Sequence, residues 1–113
     1  MKAVAYALIS LSTLLVATTA AQAQDKIAPS QVFRFKPNAY GCLSKEKFDA
    51  ADTHARAGES GKVQQFFAGY ECVSTPESSD FRIVRVVGHD VEFVNAGNND
   101  RSGLWTNDRF IRQ

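Results

Sequence analysis

Cys42 and Cys72 are the only two cysteines in the chain, and whether they are joined decides how so short a protein can fold. An even pair is oxidised by default in an exported protein and reduced in a cytosolic one. The N-terminus bears on that choice. Lys2 gives a single positive charge, an apolar run "AVAYALISLSTLLVA" follows, and no charge appears from Ala3 to Ala23. The run ends on small residues, with Ala21 and Ala23 forming an A-x-A site around Gln22. A short basic region, an apolar run and an A-x-A end are the three parts of a secretory signal peptide, expected here as residues 1–23. The strictly apolar part is shorter than the roughly 20 residues a spanning helix needs, and no cysteine follows closely enough for a lipoprotein site. The expectation is a periplasmic or secreted protein with no transmembrane segment after signal cleavage.

A structural disulfide between Cys42 and Cys72 then follows. A metal site wants more ligands at close spacing, and a redox pair wants C-x-x-C. Neither pattern occurs, and His54 and His89, the only histidines, show no ligand spacing. The mature chain of about 90 residues suffices for one small domain. Closing a loop of this length stabilises by roughly 3–4 kcal/mol in the chain-entropy estimate, a large share of the roughly 5–10 kcal/mol available to such a domain.

Charge excludes one partner class. Without Lys2, twelve basic residues face twelve acidic ones, interspersed rather than in blocks. A nucleic-acid binder normally carries a basic stripe. None is visible in the sequence, so no nucleic acid is expected as partner, and no polybasic membrane contact.

After the signal, residues 24–41 read as an N-terminal arm. "VFRFK" alternates apolar and basic residues between Pro29 and Pro37, which suits an edge strand or an arm lying on the domain. Residues 42–113 read as a single domain that begins with a helical pair (42–70). Ser44 is an N-cap, with Leu43 and Phe48 placed as a hydrophobic staple. Phe48, Ala51 and Ala55 form an apolar stripe, and Gly58 suits the C′ position. Ser60 caps a second helix with Val63, Phe66 and Phe67 on its apolar face, and Gly69 stops it. The stretch 71–113 changes to β grammar: "ECVST", "FRIVRVV", "DVEFVN", "LWT" and a last strand at Phe110 and Ile111, with "NDRF" as one turn before it. Gly88-His89 occupies a two-residue hairpin turn with glycine first. Five short strands in so short a stretch predict a small, partly open barrel, giving an α+β fold.

The tightly joined central strands, the glycine-containing loop and "SGLWT", with its G-x-W-[VT] pattern at Gly103, Trp105 and Thr106, resemble a bacterial SH3-like domain. The stretch "GCLSKEKFDAADTHARAGESGKVQQFFAGYEC" resembles the helical lead-in of small exported bacterial proteins of unknown function, in which a Cys-to-Cys helical pair precedes an SH3-like barrel. The resemblance implies two short helices followed by a five-stranded SH3-like β-barrel with one disulfide. It implies a binding module of the bacterial envelope, with a peptidoglycan peptide or an envelope protein as partner. The eukaryotic SH3 pattern is not met, so proline-rich ligands do not carry over.

Catalytic motifs fail one by one. "AGESGKV" lacks the first glycine and the final Ser or Thr of a P-loop, having Arg56 and Val63 there. No serine sits in G-x-S-x-G, and "NNDRSG" lacks calcium-loop spacing. The acidic residues are scattered, which leaves a carboxylate pair open. The expectation is a non-catalytic protein with no cofactor and no metal. Two alternatives keep different functions in play: a lysozyme-inhibitor-like protein that blocks an attacking hydrolase, and a structural accessory of an envelope assembly. Trp105, the only tryptophan, is expected to be mostly buried between barrel and helices; the alternative makes it a docking platform with Asn99 and Arg101 beside it.

Overall fold

The computed structural model describes residues 27–112, so the expected signal peptide lies outside the described residues. The elements run β1 (Val32–Phe35), β2 (Tyr40–Cys42), α1 (Lys45–Arg56), α2 (Ser60–Ala68), β3 (Cys72–Ser74), β4 (Phe81–Val87), β5 (Asp90–Asn95), β6 (Leu104–Asn107), a 3-10 turn (Asp108–Phe110) and β7 (Ile111–Arg112). All paired strands are antiparallel, in the order β3-β2-β6-β5-β4-β1-β7. The fold is α+β with one disulfide, as expected, but the sheet has seven strands rather than five. The five strands anticipated after residue 71 are all present. The two extra ones come from the stretch read as an arm. Phe33 and Phe35 are 4% and 0% exposed, and β1 lies between β4 and β7. From Val32 on, that stretch belongs to the domain.

Two short connections force the sheet to curl. β1 and β2 are four places apart in the sheet, as are β6 and β7. Laid flat, four steps would span about 19 Å at ~4.8 Å each, whereas the connections 36–39 and 108–110 reach at most about 17 and 14 Å. The Lys36 amide donates to the Phe110 carbonyl at 2.8 Å, fastening the two connections to each other. The concave face closes over Phe33, Phe35, Phe81, Ile83, Val91, Phe93 and Ile111. Four of these rings pack mainly edge to face, with centroids 5.0–6.2 Å apart, a geometry that adds to simple area burial.

A second cluster lies on the convex face, where the helical hairpin covers β2 and β6: Tyr40, Cys42, Phe48, Ala51 and Cys72. Cys42 and Cys72 are direct cross-strand partners, joined by the disulfide with Cα atoms 3.9 Å apart. The bond therefore closes the base of the helical hairpin. Ser44 caps α1, its Oγ accepting from the Lys47 amide at 3.1 Å, and Gly58 takes the left-handed C′ conformation at φ +77. The apolar stripe is rotated from expectation: Phe48 and Ala51 are buried with Asp52, and Ala55 is exposed. Leu43 is 56% exposed, so the staple does not form. Glu59, not Ser60, is the N-cap of α2, without a side-chain bond. The β4–β5 turn has Gly88 at φ +62 between the partners Val87 and Asp90, the conformation that calls for glycine in the first central position.

Candidate functional site

Strand alternation divides β6 between the two clusters. Leu104 packs on the concave core and Trp105 on the convex cluster with Phe66 and Phe67. Trp105 is the register partner of both Cys42 and Glu92, so the indole lies beside the disulfide. It is half-buried, facing the helical side, neither a closed core residue nor a free platform. Asn99 and Arg101 are exposed in the loop between β5 and β6. That loop starts with a turn, Asn98 N–H to Asn95 O, and continues with the Asp100 amide on the Asn98 side chain at 2.8 Å. No hydrogen bond among the described residues joins Trp105 to Asn99 or Arg101.

Gly103 explains how the loop re-enters the sheet. A Cβ there would sit 2.0 Å from the Phe93 carbonyl oxygen and 2.7 Å from Val94 Cγ1. Its amide donates to Glu92 Oε2 at 3.0 Å, and Glu92 is 4% exposed. Beneath the loop is a hollow of about 200 Å³ walled by Phe81, Phe93, Leu104, Asn98, Asp100 and Ser102.

A larger open groove, about 410 Å³, runs between Asn38–Tyr40, Phe67 of α2 and the segment Ser74–Glu77. Asn38 turns the chain there at φ +64, an angle asparagine tolerates better than most residues. The Thr75 hydroxyl is buried and has no hydrogen-bond partner among the described residues. The Tyr40 hydroxyl faces Asp52 at 3.4 Å; burial, reinforced by the Asp52 carboxylate, pushes its pKa up to about 12. It is a neutral donor at any physiological pH.

Three of the acidic residues, Asp49, Asp52 and Asp90, meet basic partners at two joints between helix and sheet. Asp52, 8% exposed, takes a bidentate pair from Arg109 and a further bond from Arg56 Nε at 3.0 Å. Burial pushes its carboxyl up, but the hydrogen bonds from Arg109 and Arg56 outweigh that and hold its pKa below the ordinary value. Lys45 bridges Asp49 at 2.9 Å and Asp90 at 3.2 Å, joining α1 to the start of β5. Burial and the hydrogen bond with Asp49 raise Asp90. Neither carboxylate lines the two hollows described above, and through Lys45 the pair joins helix to sheet. The i, i+4 spacings on α1 were readable in the sequence; Asp90 and Arg109 carried no local signal. His54 meets Glu59 at 2.7 Å and His89 meets Asp108 at 2.9 Å. The hydrogen bond to Asp108 raises His89 above the ordinary imidazole value. The two rings have separate partners. Among the described residues no group of three or more His, Cys, Asp or Glu could hold a metal ion, and no helix is long and apolar enough to cross a membrane.

A family model described as surface attachment protein, Sap1-like, matches residues 3–113. No curated protein and no solved structure gives a significant match.

Proposed function

Since the chain belongs to the Sap1-like surface attachment family, we propose that it is an exported, non-catalytic binding module of the bacterial envelope. The observation that carries this reading is the family match over nearly the whole chain. The disulfide agrees with an oxidising compartment. The SH3-like character of the strands from Cys72 on belongs to the same reading, supported by the tight β4–β5 hairpin and the one-turn entry to β7. Its partner is a cell-wall peptide or an envelope protein. The groove beside Tyr40 and Phe67 offers an apolar floor, and the β5–β6 loop offers Asn99 and Arg101 next to the strand that carries Trp105.

The test is location and binding together. Protease shaving of intact cells should remove the protein, and purified protein should sediment with isolated envelope or peptidoglycan without degrading it. Asn99→Ala with Arg101→Ala should weaken sedimentation while leaving the melting temperature within a degree or two, and Trp105→Ala should lower both. A protein found only inside the cell, or one that solubilises the envelope, would overturn the reading.

A further inference from the structure

We propose that the convex face of β4, β1 and β7 is a second binding surface, shaped for an acidic polysaccharide. The sequence showed no basic stripe because the residues that build it are dispersed over the chain. The pairing assembles them. β1 turns Phe33 and Phe35 into the core, so Val32, Arg34 and Lys36 point outward, all exposed. Arg34 is the direct cross-strand partner of Arg112, and Val32 is the partner of Arg82. A bulge after Ile83 lets Arg85 share the outward face, where it pairs with Glu92.

Like charges directly opposed across strands are unfavourable, and little offsets them here. Asp80 takes Arg34 at 2.8 Å, but both side chains remain about half exposed, at 50% and 52%. Glu92 sits beneath Arg85, its side chain 5% exposed against 58% for the arginine. Among the described residues Arg112 donates to the Phe35 carbonyl at 3.4 Å, and Arg82 donates to the Asn98 carbonyl, a neutral partner. Among the described residues, five basic side chains thus share a face with one exposed carboxylate, Asp80, and one buried one, Glu92. The acidic residues Glu46, Asp49, Asp52 and Glu59 belong to the helical hairpin instead. The helices pack mainly on β2, β6 and β3.

The surface suits an extended polyanion, because it is convex and its charges spread over three strands rather than converging in a pocket. Among the described residues it presents no aromatic side chain on which bases could stack, the usual means of holding single-stranded nucleic acid, and no helix to enter a duplex groove. An acidic polysaccharide needs neither. The choice of glycan over nucleic acid rests on the proposed location at a cell surface; the basic face itself does not.

Binding of the folded, oxidised protein to alginate, a polyuronate, tests the inference, with neutral dextran and duplex DNA as comparison probes. Alginate should bind and dextran should not, with affinity falling steeply as salt rises. Arg34→Gln with Arg112→Gln should lower alginate affinity at least tenfold and flatten the salt dependence. Lys47→Gln with Lys62→Gln, the same charge change on the helical side, should leave it within twofold. Thermal melts confirm that each variant is folded. Equal loss in both double variants would reduce the effect to net charge and overturn the proposal, as would alginate binding no tighter than dextran. Tighter binding to DNA than to alginate would overturn the choice of glycan. A shaved, surface-located protein that ignores alginate sinks this inference and leaves the proposed function standing; an alginate-binding protein confined to the cell interior does the reverse.

Discussion

Arg109, in the single turn between β6 and β7, forms a bidentate ion pair with Asp52 of α1 and lays its guanidinium 4.3 Å from the centre of the Phe110 ring. One arginine therefore ties the helical hairpin to the closing turn of the sheet. Removing one partner of a largely buried pair leaves the other uncompensated, at a cost of roughly 3–5 kcal/mol when burial is complete. Arg109 is 36% exposed on its side chain, so Arg109→Met should cost less, about 2–3 kcal/mol, measured by urea unfolding. Because the Asp52 pKa is depressed in the folded state, its contribution is present above the unfolded carboxylate pKa and is lost as pH falls through the folded one. Wild type should lose stability in that acidic range, and Asp52→Asn should lose less of its own. Parallel curves for the two proteins would refute the assignment.

Gly103 makes a sharper prediction. With a carbonyl oxygen 2.0 Å from where its Cβ would stand, Gly103→Ala requires β5 and β6 to part. The expected loss exceeds about 2 kcal/mol, in the range of severe overpacking. Gly97, in the same loop, has nothing within 4 Å and an ordinary φ, so Gly97→Ala should stay within about 0.5 kcal/mol. Chemical denaturation of the two variants side by side decides it.

Reducing the disulfide should act locally first. Cys42→Ser with Cys72→Ser should cost about 2–5 kcal/mol. In hydrogen exchange, α1 and α2 should lose protection before β4 and β5, since the bond closes the base of the hairpin while the phenylalanine core lies on the other face of the sheet. Uniform loss of protection would show that the two clusters unfold as one unit.

Asp90 predicts a gain. Its pKa is raised by burial and by Asp49, so folding favours its protonated form. That contribution is fully present below the unfolded pKa and is lost as pH rises through the folded one. At neutral pH the charged form is held at a cost that Lys45 only partly offsets. Asp90→Asn should therefore melt higher than wild type at pH 7, with the difference shrinking as the pH falls through the acidic range. A variant less stable than wild type at neutral pH would mean that the Lys45 bridge outweighs the burial.

Much of this architecture was legible residue by residue. Ser44 and Gly58 mark the ends of α1, Gly88 sets the hairpin, and β-branched runs give β4 and β5, because each of these depends on its own backbone or near neighbours. What escaped depends on distant partners. β1 and β2 are four and three residues long, separated by Pro37 and Asn38, and only the aromatic cluster reveals them as integral strands. The burial of Asp52 left no local signal because its partner stands 57 residues later. Trp105, expected to be mostly buried, is half-buried because each face of β6 meets a different cluster. The basic face was invisible for the same reason: neighbours in the sheet are strangers in the chain.

The position of the disulfide also decides how the molecule would bear tension. Cys42 and Cys72 bridge a separation of 30 residues, so a pull between the chain ends travels through the sulfur atoms and never loads the helices. An extended chain gains about 3.5 Å per residue, so the bond withholds roughly 100 Å of contour that the reduced molecule would release. β7, two residues long, pairs with β1 at the sheet edge and places Arg112 opposite Arg34. A stretched molecule would shed that short strand first, and the hairpin would ride through as a rigid parcel.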